Sequence, residues 1–187
     1  MSDFWVFGYG SLMWRPGFDH IDAVAARLNG AHRSLCVYSW FHRGTKERPG
    51  LVLGLDRGGS CRGVAYRVSG PNRDAVVAYL RERELVTDVY HEVWRPVGLI
   101  GRNGAPVLAL TYLVNRNHVQ YAGRLPLERL LDLVRGSEGK SGANAEYVIN
   151  TVRHLRQLGI RDSVLEHLAA ALGRPDSPSG GDGEGGR

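Results

Sequence analysis

The stretch FWVFGYGSLMW, residues 4–14, reads as a strand that runs straight into a glycine-rich turn. Phe4 to Phe7 form a short aromatic and β-branched run with the composition of a buried strand, and the run stops at Gly8-Tyr9-Gly10-Ser11. Pro16-Gly17 follows closely, so no long helix grows out of the turn. A dinucleotide fingerprint therefore fails: GxGxxG needs a third glycine where Met13 stands and a helix where Pro16-Gly17 stands. Two readings remain. Successive N–H groups of the loop face an anion or a developing oxyanion, or the glycines simply make a tight turn.

Working outward, residues 23–40 are ambiguous. AVAARL suits a helix, whereas Asn29-Gly30 is a hairpin turn signal and LCVYSW suits a strand, which favours a hairpin. A second hairpin is expected from LVLGL (51–55) and CRGVAYRV (61–68) around Asp56-Arg57-Gly58-Gly59. Residues 72–84, rich in Ala, Leu, Arg and Glu after Pro71, predict a helix. Strands are expected over 89–99 and 107–114, and helices over 127–134, 145–158 and 164–172. Locally paired strands with helices gathered toward the end give an α+β domain with a small, strongly curved or closed mixed sheet.

The chain has 187 residues, 43% hydrophobic and 23% charged, enough for one domain with its own core and too short for two of full size. The domain is expected over 1–173. Residues 174–187, RPDSPSGGDGEGGR, carry five glycines and two prolines with nothing apolar to bury, which predicts a disordered tail. No apolar run approaches the roughly 20 residues of a membrane span, and the N-terminus has no signal-peptide pattern, so a cytoplasmic protein without a membrane partner is expected. Cys36 and Cys61 are too isolated for a disulfide framework or a zinc site. Arginine supplies 22 of the 24 basic residues behind the net charge of +5, but the arginines recur singly from Arg15 to Arg161. A nucleic-acid binder gathers its charge into a stripe or tail, so this pattern suits a solvated surface that favours anionic small molecules. No motif specifies an oligomeric state.

Three further features bear on chemistry. On the 72–84 helix, Val76, Val77 and Leu80 lie 8, 7 and 4 residues before Glu84, so the apolar stripe continues onto that carboxylate and turns it inward. A helix-end salt bridge is the competing reading. Glu82 follows a weaker stripe and is expected to be the solvated partner of Arg81 or Arg83. The loop Gly139 to Tyr147 is polar and glycine-rich before a helix starting near Asn144, as a carboxylate site or an ordinary capped loop would be. The seven histidines form no HxH or HxxxH pair, so no metal site is expected, and Ser11 has no GxSxG context.

Taken in order, VFGYGSLMW (6–14), HRG (42–44), RPGLV (48–52), GVAYR (63–67), YLRERELVT (79–87), YAGRLP (121–126) and SGANAEY (141–147) resemble the ChaC family of γ-glutamylcyclotransferases, which degrade glutathione. The resemblance implies a small mixed β-barrel flanked by helices. It implies that Gly8, Tyr9, Gly10, Ser11, Leu12 and Met13 hold the γ-glutamyl group, that Tyr147 also contacts substrate, and that Glu84, following Arg83, is the acid/base. It implies a cofactor-free reaction in which the substrate's α-amino group attacks its own side-chain carbonyl. Other γ-glutamyl amines, or a non-catalytic basic module of the same fold, are the alternatives. With the net charge, the resemblance implies a preference for anionic glutathione, with Arg43 and Lys140 as candidates for its remote carboxylate or else as plain surface charges.

Overall fold

In the computed structural model, which describes residues 2–173, the N-terminal aromatic run forms strand β1 (Phe4–Gly8). The tail expected over 174–187 lies outside the described residues. A single 3-10 turn, Ser11–Met13, follows, and then two long strands, β2 (Asp22–Ser39) and β3 (Gly50–Val68). Helix α1 (Arg73–Glu84), strands β4 (Tyr90–Leu99) and β5 (Val107–Val114), and helices α2 (Leu127–Gly136), α3 (Asn144–Gln157) and α4 (Ser163–Leu172) complete the domain. Each of the later elements lies within two residues of its expected span.

The five strands close into a barrel in the order β1-β3-β2-β4-β5. Every pairing is antiparallel except the seam, where β1 runs parallel to β5 with Trp5 opposite Ala109 and Val6 opposite Leu110. Alternate residues of β1 and β5 supply two cores, as a two-residue side-chain period requires. Phe4, Val6, Leu110 and Tyr112 pack with Val76 and Leu80 of α1. Phe7, Ala109 and Leu113 join the larger core that also takes Leu133, Val148, Leu155 and Leu168 from α2, α3 and α4.

The expectation of two short hairpins is corrected. β2 passes through Asn29-Gly30 and β3 through residues 56–59 without reversing, and the two strands pair along almost their whole length as one hairpin whose turn lies in 40–49. The turn residues do adopt the left-handed backbone that marked them as turns: φ is +84° at Gly30, +98° at Gly58 and +69° at Gly59. These glycines stand opposite one another, in the gap where the register jumps from Asn29–Ser60 to Ala31–Arg57. A kink in one strand matched by a kink in its neighbour bends the ribbon without ending it, which is how long strands wrap a small barrel.

Candidate active site

A cleft of ≈ 490 Å³ is lined by the loop that leaves β1, the last two residues of α1, the start of β3, and the first three turns of α3. Glu84, the final residue of α1, projects into it with 18% of its side chain exposed. Val76 and Leu80 on the same stripe are buried, and Glu82 is exposed, so the inward placement of Glu84 follows from helical spacing. The expected partners of Glu82 go elsewhere. Arg81 makes a two-pronged bond to Glu92 at 2.9 and 2.7 Å, and Arg83 pairs with Glu84, Nε to Oε1, at 3.3 Å. Burial raises the Glu84 carboxyl above the ordinary value, and the Arg83 guanidinium only partly opposes it.

Four tyrosines line the cleft around this carboxylate: Tyr9, Tyr90, Tyr112 and Tyr147. Burial raises the pKa of each, to about 12 for Tyr147, and the charge of Glu84 adds to every one. All four therefore keep their protons at neutral pH. The Tyr90 hydroxyl donates to the Leu53 carbonyl at 2.8 Å, and that of Tyr112 to Glu92 at 3.4 Å. The Tyr147 oxygen instead accepts the Leu53 N–H at 3.2 Å, which leaves its proton free to donate into the cleft.

The glycine-rich loop is pinned from several sides. Arg83 donates to Ser11 Oγ at 2.9 Å, to the Arg15 carbonyl at 2.8 Å and to the Tyr79 hydroxyl at 3.0 Å, tying the loop to the helix that carries Glu84. Buried Arg33 donates from Nε to the Tyr9 carbonyl at 2.6 Å, and Tyr66 donates to the Met13 carbonyl at 2.6 Å. The Met13 N–H closes the turn on the Gly10 carbonyl, so the N–H groups of Ser11 and Leu12 take no partner within the turn.

Of the residues expected to hold substrate, Tyr9, Gly10, Ser11, Leu12 and Tyr147 line the cleft, together with Glu84. Gly8 and Met13 do not. Gly8 is buried where a Cβ would stand 3.0 Å from the Leu12 Cβ, and Met13 is buried beside Arg33, so both shape the loop from outside the cleft. Arg43 lines the cleft, donating to the Ser141 and Ala143 carbonyls and lying 5.3 Å from the centre of the Tyr147 ring. Lys140 does not; its ammonium lies over the Phe41 ring.

Sequence reasoning missed Tyr90, Tyr112 and His154, which barrel closure and α3 bring to the cleft from distant segments, and Trp14, which directly follows the glycine-rich loop. It also missed the task of Asn144. That fully buried amide accepts the Leu51 N–H at 2.7 Å and donates to the Leu51 carbonyl at 2.8 Å, locking the first residue of α3 to β3. Among the described residues no group of three or more His, Cys, Asp or Glu gathers closely enough to hold a metal ion.

Residues 4–174 match the family described as "ChaC-like protein". The chain is 32% identical to the glutathione-specific gamma-glutamylcyclotransferase of Escherichia coli, over 90% of this chain and 72% of the relative. It is 34% identical to glutathione-specific gamma-glutamylcyclotransferase 1 of Homo sapiens, over 90% and 76%. The crystal structure of the yeast γ-glutamylcyclotransferase specific to glutathione, in selenomethionine form, superposes with a TM-score of 0.80 at 21% identity, over 92% of this chain and 96% of that one, which establishes the shared fold.

Proposed function

The chain belongs to the ChaC-like family, and from that premise we propose that it cleaves glutathione by intramolecular cyclisation, releasing 5-oxoproline and cysteinylglycine. The observation that carries this reading is a single half-buried carboxylate, Glu84, facing a glycine-rich loop inside a ring of protonated tyrosines. The α-nitrogen of the γ-glutamyl group bonds to its own side-chain carbonyl carbon, and the bond from that carbon to the cysteine nitrogen breaks. The α-nitrogen gives up two protons and the leaving nitrogen gains two, so atoms balance without water, an oxidant or a cofactor. Nucleophile and electrophile share one molecule, and the site's main task is to hold them in a near-attack shape.

Proton transfer is the second task. An α-amino group titrates near 8 and a free Glu near 4.3, a gap of roughly 3.5 units or about 5 kcal/mol against direct transfer. Burial of Glu84 raises its pKa and narrows that gap, so one carboxylate takes a proton from the nucleophile and passes it to the leaving nitrogen. The Ser11 and Leu12 N–H groups and the Tyr147 hydroxyl are donors for the substrate carboxylate or the oxyanion of the tetrahedral intermediate.

Incubation with glutathione and detection of 5-oxoproline and cysteinylglycine tests the activity directly; absence of both products overturns it. The value of kcat/KM should rise with pH through a group titrating above about 4.3, because unprotonated Glu84 starts the reaction and burial raises its pKa. A pH–rate profile whose acid limb lies at or below that value contradicts the assignment. Chelation with EDTA is expected to leave turnover unchanged, since every proposed step runs through Glu84, tyrosine hydroxyls and backbone N–H groups; inactivation reversed by a divalent ion contradicts this. The partner is accordingly a small molecule rather than a nucleic acid or a membrane. Cytoplasmic placement is supported by two free, buried thiols, and no described helix is long and apolar enough to cross a membrane.

A further inference from the structure

Resting on the activity proposed above, we propose that the cysteinylglycine half of the substrate lies along α3, with its terminal carboxylate paired to Arg15. Tyr147, Asn150, Thr151 and His154 stand at i, i+3, i+4 and i+7 of this helix, and all four line the cleft. At 1.5 Å per residue, Tyr147 and His154 are about 10 Å apart along the axis. Tyr147 marks the reacting end, bonded to Leu53 N–H and within the field of Glu84. His154 marks the other end, where its ring stacks on Trp14 with centroids 4.4 Å apart and planes 13° from parallel. From the reacting carbonyl to the glycine carboxylate of extended glutathione is two residues, about 7 Å, so the helix supplies a track of the required length.

Charge selects the residue at the far end. Among the described residues Glu84 is the only carboxylate lining the cleft, against the guanidiniums of Arg15, Arg43 and Arg83. Arg83 is committed to Ser11, Tyr79, Glu84 and the Arg15 and Pro16 carbonyls. Arg43 is committed to Ser141, Ala143 and the face of Tyr147. The Arg15 guanidinium has no partner among the described residues, and Arg15 lines the same cleft as the two stacked rings, directly after Trp14 in sequence. An anion two residues beyond the scissile bond meets an uncommitted cation there, which discriminates for dipeptide leaving groups with a free carboxylate and against γ-glutamyl amines.

Glutathione and its C-terminal amide differ only in that charge, so the pair isolates the contact. Titration calorimetry on Glu84→Gln protein, which reads binding without turnover, should show glutathione bound about tenfold more tightly than the amide. Adding Arg15→Gln should bring the ratio to about one, and Arg15→Lys should restore part of it. Arg43→Gln should keep the tenfold ratio. Equal affinities for the two ligands before Arg15 is changed, a ratio that survives Arg15→Gln, or a ratio lost in Arg43→Gln instead each overturns the subsite. Failure of the unmutated protein to release cysteinylglycine overturns the activity itself, a separate result.

Discussion

Glu84→Gln is expected to lower turnover of glutathione by at least about a thousandfold, because the amide keeps the shape of the carboxyl and cannot cycle a proton. The same substitution should not weaken the fold at neutral pH. The folded-state pKa of Glu84 is raised by burial, so ionisation favours the unfolded chain, and the stability carried by the protonated form is lost as pH rises through the folded value. Glutamine is neutral at every pH. The variant should therefore melt at or above the parent temperature at pH 7.5, and the difference should vanish as pH falls below the unfolded value of about 4.3. Glu82→Gln, on the exposed face, is the control and should retain full activity. An inactive Glu82→Gln beside an active Glu84→Gln would reverse the choice of carboxylate.

The largest loss of stability is expected for Asn144→Ala. The amide satisfies both backbone groups of Leu51, which is itself fully buried, and its removal leaves an N–H and a C=O unpaired in an apolar surround. Each orphaned group costs about 1–3 kcal/mol, so the substitution should cost about 3 kcal/mol in all. For a domain of this size that lowers Tm by about 6–12 °C. Activity should fall as well, because Asn144 fixes the start of α3 and Tyr147 lies one turn along it, bonded to Leu53. Thermal melts and KM measured on the same preparation test both effects; a Tm within 2 °C of the parent, or an unchanged KM, would show that α3 is held in place by its apolar contacts.

Much of this site was legible where chemistry is local in sequence. The stripe from Val76 through Leu80 to Glu84 reports the inward carboxylate through helical spacing alone, and FWVF before GYGS reports a strand feeding a loop. The motif order added what spacing could not, the choice of Tyr147 and the identity of the substrate. The long strands resisted because Asn29-Gly30 and Gly58-Gly59 specify a backbone angle and not a chain reversal. A left-handed glycine makes a turn when its neighbour strand is absent and a bend when a second glycine faces it, and only tertiary pairing decides between them. Tyr90 and Tyr112 carried no signal for a similar reason: they meet Glu84 through barrel closure, across segments that share no periodicity.

The parallel seam also dictates when the cleft first exists during folding. Pairing of Trp5 with Ala109 joins the two most widely separated strands of the barrel, so it pays the greatest loop-closure entropy of any ladder and should form late. The glycine-rich loop emerges from that strand only a few residues on, at Tyr9 to Leu12. A chain leaving the ribosome can build the β2–β3 ribbon from residues 22–68 while the substrate site stays unassembled until β5 has been made and has docked on β1. Catalytic competence would then be the last property acquired, and refolding followed by regain of activity should lag refolding followed by strand content.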